Sequence, residues 1–205
     1  MAGQAGVACA PSGATALLAS AISYALGACV QVTPGEMALP TPCAEWDLEA
    51  LLAHLATSMA DLESALRTGH LDLDPNEPKS PQRPDHPVAT DLDGDPVEAL
   101  RDQAANLLFA CYAHHGPDRF VLVAGLPLPA GIVACTGAVE IAVHGWDVSA
   151  ARGRGGPIPP ALATRMLRLS PLLVTGREGL FGVSVPVPSQ ASPGDRLVAY
   201  LGRNP

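Results

Sequence analysis

Apolar residues recur every three or four positions along most of the chain, the period that lines one face of an α-helix. Between residues 14 and 32, Leu18, Ile22, Leu26 and Val30 form such a stripe. It stops at Thr33-Pro34-Gly35, where proline disfavours helix in the preceding residue and glycine permits a turn. After a loop to Trp46, Asp47 is a good N-cap for a second helix running to about Arg67, with Leu48, Leu51, Leu52, Leu55, Met59, Leu62 and Leu66 on its apolar side. Pro96 suits the first turn of a third helix that carries Val97, Leu100, Ala104, Leu107, Leu108 and Cys111 inward and stops at His115-Gly116. A short extended stretch, Arg119 to Val123, and a Gly/Pro-rich connection lead to a fourth helix from about Ala130 to Ala151, which tolerates Gly131 and Gly137 at some cost in propensity. Pro160 to about Thr175 reads as a fifth helix. Gly179 to Pro188 reads as an irregular segment laid over the others, and Asp195 to Leu201 as a last short helix.

Four long helices with short connections predict an all-α chain, a four-helix bundle with an extra C-terminal helix and an irregular tail. At 205 residues the length suits one domain over 1–205, with 70–95 as a long proline-rich surface loop and 176–205 as an appended segment. Hydrophobic residues make up 48% and charged residues 16% of the chain, enough burial to offset the entropy of ordering it. The net charge of −8 comes without a basic block, which argues against a nucleic-acid partner and leaves small molecules. Five cysteines, at positions 9, 29, 43, 111 and 135, are odd in number and contain no CxxC pair, so neither a disulfide framework nor a thiolate zinc site is written here. A reducing, cytoplasmic setting fits, and no cysteine is assigned to catalysis. No side-chain charge occurs from Ala2 to Gly35, but the run is mostly small residues without a basic flank, so no stable membrane span is expected. The uncharged first helix could instead serve as a homodimer contact.

Glu140 and His144 stand four residues apart, so they project from one helix face about one turn, roughly 6 Å, along the axis. They could form an ion pair or supply two ligands to a divalent metal. A facing helix could supply a third ligand, and His54, set among Leu51, Leu52 and Leu55, is the candidate. Buried there, its imidazole needs a polar partner, which a hydrogen bond or a metal would provide. Asp147, three residues after His144, could orient a ligand by accepting its ring N–H, or could face solvent. Trp146 and Trp46 are candidates to line a pocket, and Trp146 is equally explained as core packing. His114 and His115 suit the C-terminal dipole of the third helix. His70 and His86 fall in the proline-rich loop.

The run Thr41-Pro42-Cys43-Ala44-Glu45-Trp46-Asp47-Leu48, then Leu51-Leu52-Ala53-His54-Leu55, and later Glu140-Ile141-Ala142-Val143-His144-Gly145-Trp146-Asp147-Val148, resembles the mycothiol-dependent maleylpyruvate isomerase N-terminal and DinB-like superfamily. Within it, the chain is similar to an actinobacterial group described only as metal-binding. The ending, Phe181-Gly182-Val183-Ser184-Val185-Pro186-Val187-Pro188 and Asp195-Arg196-Leu197 through Gly202-Arg203-Asn204-Pro205, is similar to that group's ending. The resemblance implies a DinB-like four-helix bundle with His54, Glu140 and His144 as metal ligands. Zinc is the first choice, and nickel, iron or manganese accept the same donors. It also implies a metal-dependent enzyme, a transferase or isomerase, with mycothiol as co-substrate for an S-transfer to a small electrophile. A thiol-independent biosynthetic catalyst and a non-catalytic metal- or ligand-binding protein are the alternatives.

Overall fold

The computed structural model describes residues 11–43, 46–71, 96–114, 116, 118–174 and 181–205. Among them run helices α1 (Pro11–Cys29), α2 (Leu48–Thr68), α3 (Pro96–Ala113), α4 (Ala130–Ala151), α5 (Pro160–Leu173) and α6 (Pro193–Tyr200), with a 3-10 turn at Pro34–Glu36. The chain is mostly helical, as its periodicity predicts. In the bundle, α1 packs on α4 and α3, and α2 packs on α3 and α4, so each long helix makes its main contacts with two neighbours. α5 lies against α4 and carries α6. One continuous core runs from Ala14 of α1 to Leu201 after α6.

Local chemistry sets the ends of α2. The Asp47 carboxylate accepts from the Ala50 N–H at 2.9 Å, and Gly69 closes the helix in the left-handed region at φ 78°. The leucines expected on its inner face are all buried. α4 is apolar around most of its circumference, because α1, α2 and α5 cover it from several sides. Its closest neighbour is α1. A Cβ on Gly145 would stand 2.8 Å from the Ala25 Cα and 3.0 Å from the Ala25 Cβ, so that glycine sets how near the two backbones come.

The buried face of α1 differs from the expected stripe. Leu18 and Ile22 are buried, but Leu26 is only partly so and Val30 lies beyond the helix end, 52% exposed. A spacing of four overshoots one turn by about 40°, so Val30 is carried about 120° away from Leu18. Leu17, Ala21, Ala25 and Cys29 drift by the same angle, but their row starts about 100° earlier on the other side of the buried face and so crosses it and stays buried. This burial accounts for the apolar inner face of α1, while its exposed positions Ala16, Ser20, Ser23 and Gly27 are uncharged as well; no described helix is long and apolar enough to cross a membrane.

A small sheet is the feature sequence reading missed. β1 (His70–Leu71) pairs parallel with β2 (Phe120–Val123), and β2 pairs antiparallel with β3 (Leu126–Pro129). The extended stretch expected at 119–123 is thus a central strand. β3 reads Leu-Pro-Leu-Pro, and two residues without N–H groups speak against a strand; as an edge strand it accommodates them. His70, expected in the loop, lies in β1, while the rest of that loop, 72–95 with His86, falls outside the described residues. So does His115; the fifth helix ends at Leu173, two residues before the expected Thr175, which itself lies outside the described residues. Residues 182–188 have no regular structure, as expected, and α6 begins two residues before the expected start at Asp195.

Candidate metal centre

His54 from α2 and Glu140 and His144 from α4 bring one ligand atom each within 4.8 Å of one another. The His54 Nε2 lies 3.4 Å from the Glu140 Oε1, and the two imidazole rings meet edge-on with centroids 5.0 Å apart. His54 is less enclosed than its leucine neighbours suggest, with a third of its side chain exposed, 34%, as is that of Glu140. It stands at the edge of the leucine stripe, and Glu140 and the Trp46 ring, 4.4 Å away between centroids, meet it there.

His144 is buried, and its orientation is fixed from behind. Its Nδ1 lies 3.0 Å from the Asp147 Oδ2, which makes Nδ1–H the donor and leaves the Nε2 lone pair for the other side of the ring. Asp147 does not face solvent; it is fully buried. It accepts from the Cys43 thiol at 3.2 Å and from two nitrogens of Arg203, Nε at 3.3 Å and Nη2 at 3.0 Å. Burial opposes this carboxylate, but His144 and Arg203 outweigh it and hold its pKa below the usual range. Burial also opposes the Glu140 charge, yet the hydrogen bond with His54, the attraction of His144 and the Ser58 hydroxyl hold its carboxyl at about 2. That hydroxyl donates to Oε1 at 2.7 Å.

The loop ahead of α2 is shaped by Thr41. Its hydroxyl donates to the Trp46 carbonyl at 2.9 Å and accepts from the Cys43 N–H at 3.2 Å, which sets both residues against the cluster. Cys43 then lies 3.9 Å from the His144 Nδ1 and 3.4 Å from the Arg203 Nη2. Burial first, and the Asp147 charge second, push its thiol up to about 12. The Trp46 ring covers both histidines, with its centroid 6.0 Å from that of His144. Trp146 is partly buried and packs against the core.

Two donor groups therefore meet at His144: His54 with Glu140, and Cys43 with Asp147. The first fits a divalent cation, since two imidazoles and a carboxylate are typical donors and part of the site is open to solvent. The second is already filled by a cation, the Arg203 guanidinium. Sequence reading did not single out Cys43, Ser58 or Arg203 as functional. Ser58 follows His54 by one turn on the same face, a signal that was there to find. Cys43 stands in the Thr-Pro-Cys-x-x-Trp run. For Arg203, 56 residues beyond Asp147, no local pattern points to the site.

A helical bundle with two imidazoles and a carboxylate converging from two of its helices defines a class: bundle proteins whose facing side chains can share a divalent cation. The particular family follows from comparison. The chain belongs to the mycothiol maleylpyruvate isomerase N-terminal domain family, whose model matches residues 18–149. It is similar to two uncharacterised proteins of Mycobacterium tuberculosis, one from strain CDC 1551 / Oshkosh and one from strain H37Rv. Each is 29% identical over 171 residues, covering 80% of this chain and 83% of the relative. No solved structure matches the chain.

Proposed function

We propose that His54, Glu140 and His144 hold one divalent metal ion, zinc in the first place, and that the chain uses it to transfer a low-molecular-weight thiol, mycothiol, to a small electrophile. The observation that carries this reading is the convergence of three ligand atoms within 4.8 Å, two of them on rings or carboxylates already braced by Asp147 and Ser58. When bound, the ion would leave a position open to a thiol and lower its pKa toward neutrality.

The chain's own residues have separate tasks in this reading. Glu140 enters as a carboxylate and offsets part of the charge of a dication. His144 presents Nε2 because Asp147 holds Nδ1–H. Ser58 occupies one lone pair of Glu140 and so limits its rotation. Trp46 walls one side of the two imidazoles. The family's name supports the thiol. A cytoplasmic setting goes with it, since that is where such thiols are kept reduced.

The test is elemental analysis of the purified protein, followed by thiol consumption with mycothiol and a model electrophile. Wild type should carry about one equivalent of metal and consume thiol. His54→Ala should lose both, with metal affinity reduced by more than about 100-fold, the upper end of what removing even an outer partner of a ligand costs. Metal content unchanged by His54→Ala sinks the ligand set. Metal binding without thiol consumption leaves the ligand set standing and rejects the S-transfer.

A further inference from the structure

We infer that Arg203, at the end of the chain and outside the family-matched segment, is a positioning residue that sets the metal affinity of the cluster through Asp147. The inference rests on the metal reading above and extends it to residues that no ligand motif includes. Asp147 is completely enclosed and Arg203 nearly so, with side-chain exposures of 0% and 9%. The guanidinium grips both carboxylate oxygens, Nε on Oδ1 and Nη2 on Oδ2, in the two-pronged geometry that fixes a carboxylate in rotation as well as position. Its third nitrogen, Nη1, donates to the Leu201 carbonyl at 3.0 Å, so the guanidinium is itself held. The chain of contacts runs from Arg203 to Asp147, from Asp147 Oδ2 to the His144 Nδ1–H, and from that ring to the cation position.

The backbone shows how the tail is aimed. α6 ends as Gly202 turns into the left-handed region at φ 88°, with the Gly202 N–H on the Ala199 carbonyl at 3.1 Å and the Arg203 N–H on the Val198 carbonyl at 2.9 Å. At that turn the chain crosses Gly182. A Cβ on Gly202 would lie 2.6 Å from the Gly182 Cα and 2.7 Å from its carbonyl carbon, so only glycine lets the two strands of backbone cross here. The irregular 182–188 segment and α6 thus act together to deliver Arg203 to Asp147. The site is completed by residues far beyond the four bundle helices.

Removal of an outer partner of a metal-bound histidine typically weakens binding by about 10–100-fold, and Arg203 stands one step further out, so about ten-fold is expected. The experiment measures Co2+ affinity by chelator competition, and the visible absorption of the Co2+ form, in wild type, His54→Ala, Arg203→Met, Arg203→Lys and Gly202→Ala. Arg203→Met should bind about ten-fold more weakly with a changed Co2+ spectrum. Arg203→Lys should recover part of the affinity, and Gly202→Ala should reproduce the loss with the guanidinium intact. Wild-type affinity and spectrum in Arg203→Met, with binding lost in His54→Ala, overturns the positioning role alone. Affinity unchanged in His54→Ala overturns the metal reading beneath it. If Arg203→Met loses its helical circular dichroism, Arg203→Lys carries the test, since it keeps the charge and loses the two-pronged grip. Wild-type affinity and spectrum there overturn the inference.

Discussion

Gly145→Ala tests the packing that presents His144, because two effects of known size oppose each other at that position. Replacing a glycine within a helix by alanine gains about 1 kcal/mol of helix propensity. The new methyl, however, would stand 2.8 Å from the Ala25 Cα, 3.0 Å from its Cβ and 3.3 Å from the Tyr24 ring. The first of these is backbone and cannot rotate away, so α1 and α4 must separate, and overpacking of this kind costs about 1–3 kcal/mol. With three contacts at once the upper part of that range applies, and the net expectation is a loss of about 1–2 kcal/mol. Gly137→Ala is the internal control. Its methyl would overlap the Leu62 Cδ2, the end of a flexible side chain. A rotamer adjustment of Leu62 costs about 0.5–1.5 kcal/mol, near the propensity gain, so this variant should stay close to wild type. Urea denaturation in the presence of chelator separates the two, since the midpoint should fall for Gly145→Ala at unchanged m-value. For a chain of this length, Tm should drop by about 2–4 °C for each kcal/mol lost. A Gly145→Ala protein as stable as wild type, or less damaged than Gly137→Ala, would refute the claim that α1 and α4 meet backbone to backbone there.

Further outcomes follow from the electrostatics. Glu36, hydrogen-bonded by Arg152 and by the Thr33 N–H, is held at about 2 against an ordinary 4.5. A carboxyl depressed on folding contributes stability above its unfolded value and loses it as pH falls through the folded one, so the contribution disappears between about pH 4.5 and about pH 2. Glu36→Gln should therefore cost stability near neutrality and show a shallower acid limb, read by denaturation midpoints at about pH 5 and about pH 3; an identical acid limb refutes the assignment. Cys43, at about 12 instead of 9, should carry about a thousandth of the usual thiolate near pH 8. Native protein alkylated at Cys43 as fast as unfolded protein would show that the thiol is not held this way. The loss of metal and thiol consumption in His54→Ala, and the ten-fold effect of Arg203→Met, complete the set.

Much of the bundle was legible because its signals are local. Asp47 announces the start of α2, since its own side chain caps the helix. Ala130–Ala151 was readable at both ends from proline before it and the Arg-Gly run after it. Glu140 and His144 declare a shared face through helical geometry alone. The stripe on α1 was partly misread, because a spacing of four drifts around the helix and only the position of α4 decides which residues end up covered. β3 was hidden by its prolines, and β1 spans two residues, too few for any pattern.

The sequence by itself determined which stretches form helices, most of their boundaries to within a few residues, and which residues could offer nitrogen or oxygen to a cation, since these depend on short-range chemistry. Only the tertiary structure decided that His54 meets the α4 pair, that Asp147 is buried behind His144, and that Arg203 reaches back to hold it. The first and last of these join residues tens of positions apart, and the burial of Asp147, three residues from His144, depends on the distant Cys43 and Arg203 that pack against it. These relations exist because distant segments pack together, at a separation that small residues set where backbones meet, as at Gly145 against Ala25 and where the tail crosses Gly182 at Gly202. No periodicity along the chain encodes such a distance.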